Sequence, residues 1–457
     1  MKLRNTVGKP RLSKRCRAVE LGKDVLILLL ICSAVSLVGR SQLYTVGGDQ
    51  GWFPGLSAFF AGREPETPPS LEPDHPAALP KPVRIAVCGQ GGENVSRYGI
   101  QYDTAQVEQV FGVLSGFLSE GLASARGARA VSALDWQHAL KTPGLYFDFL
   151  GSVPMELLVR WASEGGAVEV LPGAARRLVL AAEEGAETAT LYYMDDQQGL
   201  YYACDTSVVC EGYLENTLRE YGDNGARFAF EREEGSYRVL APEVMLLPDA
   251  PAAQRYQVTQ TMDLTDEAVR AELERTLGFR GSDYSIGGAW VLRDGDALRL
   301  SETGDLFYED GEALSTARYP VGQGSGSLSE AVEAGRGLFR RALEAWCGTA
   351  ANEVQIYLKK TLELPEGGWE ILFGYTLGGG DVRLDGGEAA SFTVREGRIT
   401  SYEMHLRCYT AAGEETLVLP ETQAVAALSA LELEEKAELS LCYKDDGNSA
   451  QASWIAG

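Results

Sequence analysis

Fourteen consecutive uncharged and mostly apolar residues, Val25 to Val38 within GKDVLILLLICSAVSLVGRSQLY, limit this chain more than any other stretch. Such a run is a signal peptide that is removed, a lipid-attachment site at Cys32, or a helix that stays in a membrane. Before it lie Lys2, Arg4, Lys9, Arg11, Lys14, Arg15, Arg17 and Lys23, against only Glu20 and Asp24. That excess of positive charge holds the leader in the cytoplasm and sends the downstream chain outward. At ~1.5 Å per residue the run spans roughly 21 Å, short of a hydrocarbon core of about 30 Å, and on length alone a cleavable signal is a fair reading. Three details favour retention. The leader is long for a signal sequence. Lys23 and Arg40 can reach the two interfaces while Leu43 and Tyr44 extend the far end. The nearest small-x-small triplet, Ala34-Val35-Ser36, lies inside the run. Ile31 stands where lipid attachment at Cys32 wants a small residue, so Cys32 reads as a small apolar helix residue. The expectation is a cytoplasmic leader over 1–24, a transmembrane anchor over 25–44, and a cell-membrane protein whose remaining residues are extracytoplasmic.

Charge narrows the partners. The chain carries 41 Lys and Arg against 65 Asp and Glu; without the leader the balance beyond residue 24 is −30. A surface that acidic repels nucleic acid and anionic headgroups. Six cysteines lie beyond the apolar run, namely Cys88, Cys204, Cys210, Cys347, Cys408 and Cys442, spread too widely for a small disulfide scaffold. Cys204 with Cys210, or Cys408 with Cys442, could pair, and buried free thiols are an equal reading.

Residues 54–82 hold eight of the 18 prolines, and 45–82 reads as a semi-extended spacer that lifts a folded body off the bilayer. A strand over Val83–Cys88 opens that body. Asp103 and Gln106 then cap a helix with Val107, Val110, Phe111, Leu114, Phe117, Leu118 and Leu122 on one face. Pro154 starts a short amphipathic helix, a hairpin turns at 195–199, and a helix is expected from Ser207 to Tyr221. Thr265 is expected to cap a helix, Ser327 and Glu330 form a capping box for a helix through Trp346, and Pro420 starts a helix through Leu431. The folded body divides into three units: an N-terminal α+β unit over 83–250, a middle α+β unit over 251–349 and a β-rich unit over 350–457. Strands and helices are grouped, so the fold class is α+β: one N-terminal transmembrane helix, then a multi-unit region of antiparallel sheets with packed helices.

Catalytic readings are weak. Gly89-Gln90-Gly91 follows a strand, but position 94 is Asn and the next helix is too far along to cradle a pyrophosphate. A hydrolase would need His138 or His405 beside a nucleophile or a carboxylate pair in a cleft. VGQGSGSLSEA contains no Gly-x-Ser-x-Gly, since neither Ser325 nor Ser327 is flanked correctly. Asp195-Asp196, Asp294-Gly295-Asp296, Glu309-Asp310 and Asp445-Asp446 read as solvated turn tips; Leu298 stands where a calcium loop started by Asp294 needs an oxygen. Tyr192, Tyr193, Tyr201 and Tyr202 read as half-buried sheet rather than a carbohydrate platform. No catalytic, metal or cofactor residues are assigned, and no enzyme is expected.

Several stretches, LYFDFLGSVPMELLVRW, LYYMDDQQGLYYACDT, LGFRGSDYSIGGAWVLRDGDALRLSETGDLFYEDG and FGYTLGGGDVRLDGGEAASFTVREGRITSYEMHL among them, resemble the YycH/YycI group of single-pass regulators of low-GC Gram-positive bacteria. The long leader departs from that group. What the resemblance implies is a regulator of two-component signal transduction. Its partner would be the WalK (YycG) sensor histidine kinase of cell-wall turnover, with a paralogous regulator as a possible third member. Contact would run through the transmembrane helix and the ectodomain. Leu26, Leu29, Leu30, Ser33 and Leu37 share one helix face, with Ser33 allowing close approach, and form the candidate partner face. The alternative is a non-catalytic module that binds cell-wall or peptide ligands.

Overall fold

Period-two alternation organises the first sheet. In β1 (Arg84–Gly89) Ile85 and Val87 enter one core while Ala86 enters another. The same split recurs in β4 (Gly144–Pro154), where Leu145 and Phe147 oppose Tyr146, and in β5 (Ala174–Ala181), where Leu178 and Leu180 oppose Val179. The computed structural model describes residues 79–89, 96–163, 169–259, 264–280, 282–311, 317–322, 326–348, 352–431 and 436–457. Together with β2 (Ser96–Gln101), β3 (Arg126–Val131), β6 (Thr188–Asp195) and β7 (Leu200–Val209), these strands form a seven-stranded antiparallel sheet in the order β2-β1-β4-β5-β6-β7-β3.

Helix α1 (Thr104–Ser124) covers one face, and all seven apolar positions expected on its stripe are buried. Asp103 accepts the Gln106 backbone N–H at its N-terminus, as expected. The other face is closed by Trp136 of α2 (Ala133–Ala139) and by Phe228 and Met245 of a two-stranded ribbon, β8 (Arg227–Phe228) with β9 (Met245–Leu246). Pro154 precedes α3 (Met155–Ala162). The helix expected over 207–221 is mostly strand and turn. Ser207 to Val209 continue β7, Thr188 pairs with Val209, Gly212 turns the chain with φ +72, and only α4 (Glu215–Leu218) is regular helix. β-branched Thr206, Val208 and Val209 fit a paired edge better than a helix.

The second sheet has thirteen strands: β10 (Ala253–Thr259), β11 (Ser282–Ile286), β12 (Ala289–Asp294), β13 (Asp296–Ser301), β14 (Asp305–Glu309), β15 (Gln355–Glu363), β16 (Trp369–Leu377), β17 (Gly380–Arg383), β18 (Ala390–Arg395), β19 (Arg398–His405), β20 (Cys408–Thr416), β21 (Leu439–Asp445) and β22 (Ser449–Ala456). Their order is β11-β12-β13-β14-β19-β18-β16-β17-β21-β22-β10-β20, with β15 on β16. The boundary expected at 349–350 therefore runs through one sheet: β14 pairs with β19, and β10 pairs with β20 and β22. Between them lie α5 (Glu267–Thr276) and α6 (Leu328–Cys347), and α7 (Glu421–Ser429) follows Pro420. Asp266, one residue past Thr265, is the α5 cap, while Ser327 and Glu330 make the α6 capping box. Phe339 of α6 packs on Phe373 and Tyr375 at ring separations of 6.2 and 5.5 Å. Residues Pro68–Gly457 form one compact unit, and the first core draws on both sheets. At Gly151, in the β4 bulge, a Cβ would stand 1.9 Å from the Leu358 carbonyl oxygen of β15, so only glycine fits where the sheets touch.

The cysteine pairing differs from both expected pairs: Cys347 joins Cys408, with Cα atoms 5.7 Å apart. Cys204 and Cys210 are six residues apart, with most of that interval extended along β7. Cys408 on β20 is separated from Cys442 on β21 by two intervening strands, roughly 14 Å, beyond disulfide reach. Cys88, Cys204, Cys210 and Cys442 are buried free thiols.

The acidic pairs also differ from the expectation of solvated tips: adjacent residues face opposite ways at Asp195-Asp196 and Asp445-Asp446, while Asp294 and Asp296 are directly opposite each other and both meet Arg318. Asp195, Asp296 and Asp445 turn inward and are buried. Asp296 accepts from Arg318 Nε at 2.8 Å, Tyr308 Oη at 3.0 Å and the Gly311 N–H at 3.0 Å; Asp445 accepts from Tyr409 Oη at 2.6 Å.

Candidate functional site

Tyr102, the residue after β2, has a left-handed backbone conformation, φ +60, which costs a non-glycine residue on the order of 1 kcal/mol. Its phenol oxygen holds it there, accepting from the Leu441 N–H at 3.0 Å and from Arg84 Nη2 at 3.2 Å. Beside it opens a cleft of about 450 Å³ between the β2–α1 junction, segment 247–252 with β10, and the β16–β17 turn. That turn is Gly378-Gly379, both with positive φ, the two-residue hairpin geometry that glycine makes accessible.

Two tyrosines form one wall. Tyr256 of β10 pairs with Ala450 and Tyr443 of β21 pairs with Ala452, so both rings stand on the same face across β22. Small alanines between them let the rings meet edge to face, 5.4 Å between centroids. Burial pushes the titration of both phenols upward. Their hydroxyls converge where Gly378 has no side chain: a Cβ there would stand 3.1 Å from Tyr443 Oη and 3.9 Å from Tyr256 Oη.

Glu421, the first residue of α7, lines the cleft while only 4% exposed. Gln101 Nε2 donates to one carboxylate oxygen at 2.7 Å and the Leu247 N–H to the other at 2.6 Å. Burial outweighs these bonds and raises the carboxyl from its ordinary 4.5 to about 7.

Behind the cleft lies a closed ionic network. Asp148 of β4, 1% exposed, accepts from Arg84 Nη1 at 2.6 Å and from Arg176 at 2.7 and 3.0 Å. Arg176 and Arg177 both reach Glu438, at 2.6 and 2.7 Å, and Arg177 reaches Glu243 at 3.3 Å. Burial works against charge on Asp148, yet Arg176, Arg84 and Arg177 hold it well below the usual carboxylate range. Glu438 is likewise drawn down to about 2 against its own burial, by Arg177 and Arg176. Three arginines meet three carboxylates, tying β1, β4 and β5 to the start of β21.

His138 and His405 are placed apart from the cleft. His138 is exposed, 3.6 Å from Glu183. His405 is buried, with Nδ1 2.8 Å from Asp305 and Nε2 3.2 Å from Glu403. Strand register makes this cluster: Asp305 is directly opposite His405, and Glu403 lies two residues before it on the same face. Ser301 and Thr303 donate to Asp305 rather than to the imidazole, so no described hydroxyl is set against His405 as an activated nucleophile. Cys88 is buried beneath Arg97, and burial raises its thiol. The loop after Gly89 joins antiparallel β1 and β2, which is not the strand-to-helix turn of a dinucleotide site. Among the described residues there is no metal-ligand cluster and no helix long and apolar enough to cross a membrane. The run 25–44, with Leu26, Leu29, Leu30, Ser33 and Leu37, lies outside the described residues.

The tyrosines singled out in the sequence are not those at the cleft. Tyr193 Oη donates to the Pro172 carbonyl and Tyr192 Oη to Glu183, both at 3.0 Å, within the first sheet. Tyr256 and Tyr443 carried no local signal beyond alternation along their strands; the Gly378-Gly379 turn was the visible clue.

No family model matches the chain, and no curated protein matches it. The crystal structure of YycH from Bacillus subtilis matches with a TM-score of 0.48 at 11% sequence identity, over 84% of this chain and 94% of that one.

Proposed function

We propose that this chain is a membrane-anchored extracytoplasmic regulator that modulates a cell-wall-related sensor histidine kinase by protein contacts through its apolar helix and its folded body. The order of segments carries the reading: a basic leader, one apolar run, a proline-rich spacer and an acidic α+β body. The Cys347–Cys408 disulfide supports an oxidising, extracytoplasmic placement of that body. The resemblance of the quoted stretches to single-pass kinase regulators supplies the partner. A helix and a rigid body that bind one kinase state better than another shift its output by that difference in affinity.

The test is co-purification of the full chain with the kinase from detergent-solubilised membranes. Ser33→Leu, which blocks close helix approach, is expected to reduce recovery several-fold. A mature protein that begins after Ser36, or kinase output unchanged when the gene is deleted, overturns the reading. The cleft beside Tyr102 favours a second reading, a ligand-binding module.

A further inference from the structure

We propose that the cleft at the end of β2 binds a small organic cation bearing an ammonium group, seated against Tyr256 and Tyr443. This site stands independently of the kinase reading, because it rests on the cleft alone.

The two hydroxyls carry the inference. Tyr256 is 5% and Tyr443 2% exposed, yet both line the cleft, and their hydroxyls open into it rather than being sealed in the core. Phenols sealed in the core find protein partners, as Tyr375 and Tyr409 do here. These two instead face the gap left by Gly378, and both line the cleft. At about 450 Å³ the space is far larger than one or two waters need and lies within the range of small-molecule sites.

Charge selects the ligand class. Among the described residues that line the cleft, the ionisable side chains, tyrosines aside, are Asp103 and Asp249 at the opening and the buried Glu421, and none is Lys, Arg or His. Asp103 spends one oxygen on the α1 cap, and Asp249 enters no ion pair among the described residues. A cation therefore meets negative charge at the rim and phenol oxygens within. The aromatic faces add the attraction that ring quadrupoles offer an ammonium. Asp103 and Asp249 at the opening repel an anion. The ligand is of amino-acid size: one ammonium reaches the two hydroxyls, and its remainder lies along the Leu247–Ala252 wall.

The experiment uses the full chain in a non-ionic maltoside detergent, which carries no competing ammonium. Three five-carbon probes of equal length are titrated by calorimetry: 1,5-diaminopentane, 1,5-pentanediol and glutarate. Saturable binding of the diamine alone, weakening as salt rises, is expected. Tyr256→Phe and Tyr443→Phe keep the rings but delete the hydroxyls, and each is expected to weaken the diamine roughly fivefold. Asp249→Asn, on an exposed segment where folding is not at stake, is expected to weaken it about threefold and flatten the salt dependence. Equal binding of glutarate or the diol, non-saturating diamine heats, or a Tyr256→Phe/Tyr443→Phe double variant with unchanged affinity overturns the proposal. Should the phenylalanine variants not fold, an unchanged affinity and salt dependence in Asp249→Asn overturns it instead.

Discussion

Asp148 shows how a buried carboxylate, with Glu438 and Glu243 beside it, helps make three buried positive charges tolerable. Arg84, Arg176 and Arg177 converge on it from two strands, and none of the three is more than marginally exposed. Removing a partner from a buried ionic network costs about 3–5 kcal/mol, because the remaining charges stay desolvated. Asp148→Asn is therefore expected to destabilise the body by roughly that amount in urea unfolding, and a loss under 1 kcal/mol would contradict the network's role. None of this was legible residue by residue. Arg176 and Arg177 read as an ordinary basic pair on a strand, and Asp148 as one acid inside an apolar run. The same holds for Asp296 and Asp445. Their turns were visible in sequence, whereas which acid of each turn is buried depends on strand register and on what packs against the strand end, which sequence alone leaves open.

Among elements, helices with local start signals were the most legible. Asp103 with Gln106, Ser327 with Glu330, and the prolines at 154 and 420 each mark a boundary through contacts within four residues. The helix expected over 207–221 was not, because pairing of Val209 with Thr188 outweighs helical preference there. The cysteines follow the same division. Cys347 ends α6 and Cys408 opens β20, so their meeting depends on how the helix lies on the second sheet. Their separation of 61 residues makes the loop-closure contribution about 4 kcal/mol in the chain-entropy account. The Cys347→Ser/Cys408→Ser double variant is expected to lose about 2–4 kcal/mol of stability, read from its thermal midpoint. Reducing agent should lower the parent's midpoint and leave the double variant's unmoved.

At the scale of the whole body, buried acids of opposite tendency shape stability against pH. Glu438 is held at about 2 and Asp148 is also depressed, so their contributions are present above pH ~4.5 and fade as pH falls below it. Glu421 is raised from 4.5 to about 7, so its contribution is full below pH ~4.5 and is lost as pH rises through about 7. That difference corresponds to roughly 3 kcal/mol at the upper end. Asp196, raised to about 6 mainly by burial, adds to the same decline. Greatest stability is expected near pH ~5. Glu421→Gln is expected to flatten most of the fall between about pH 5 and 8 in thermal unfolding; an unaltered slope would show that this carboxyl does not titrate there.

The amino-acid order by itself determined the apolar run and the basic residues before it, the proline-rich stretch over 54–82, the α+β class and the capped helices, because each depends on composition or on contacts a few residues apart. Only the tertiary structure decided that strands β10 to β22 build one sheet, that Cys347 meets Cys408, and that Tyr256, Tyr443, Gly378 and Glu421 surround one cleft. Those outcomes depend on strand order and register between segments tens to hundreds of residues apart, where burial of whole faces, rather than any local preference, sets the energy.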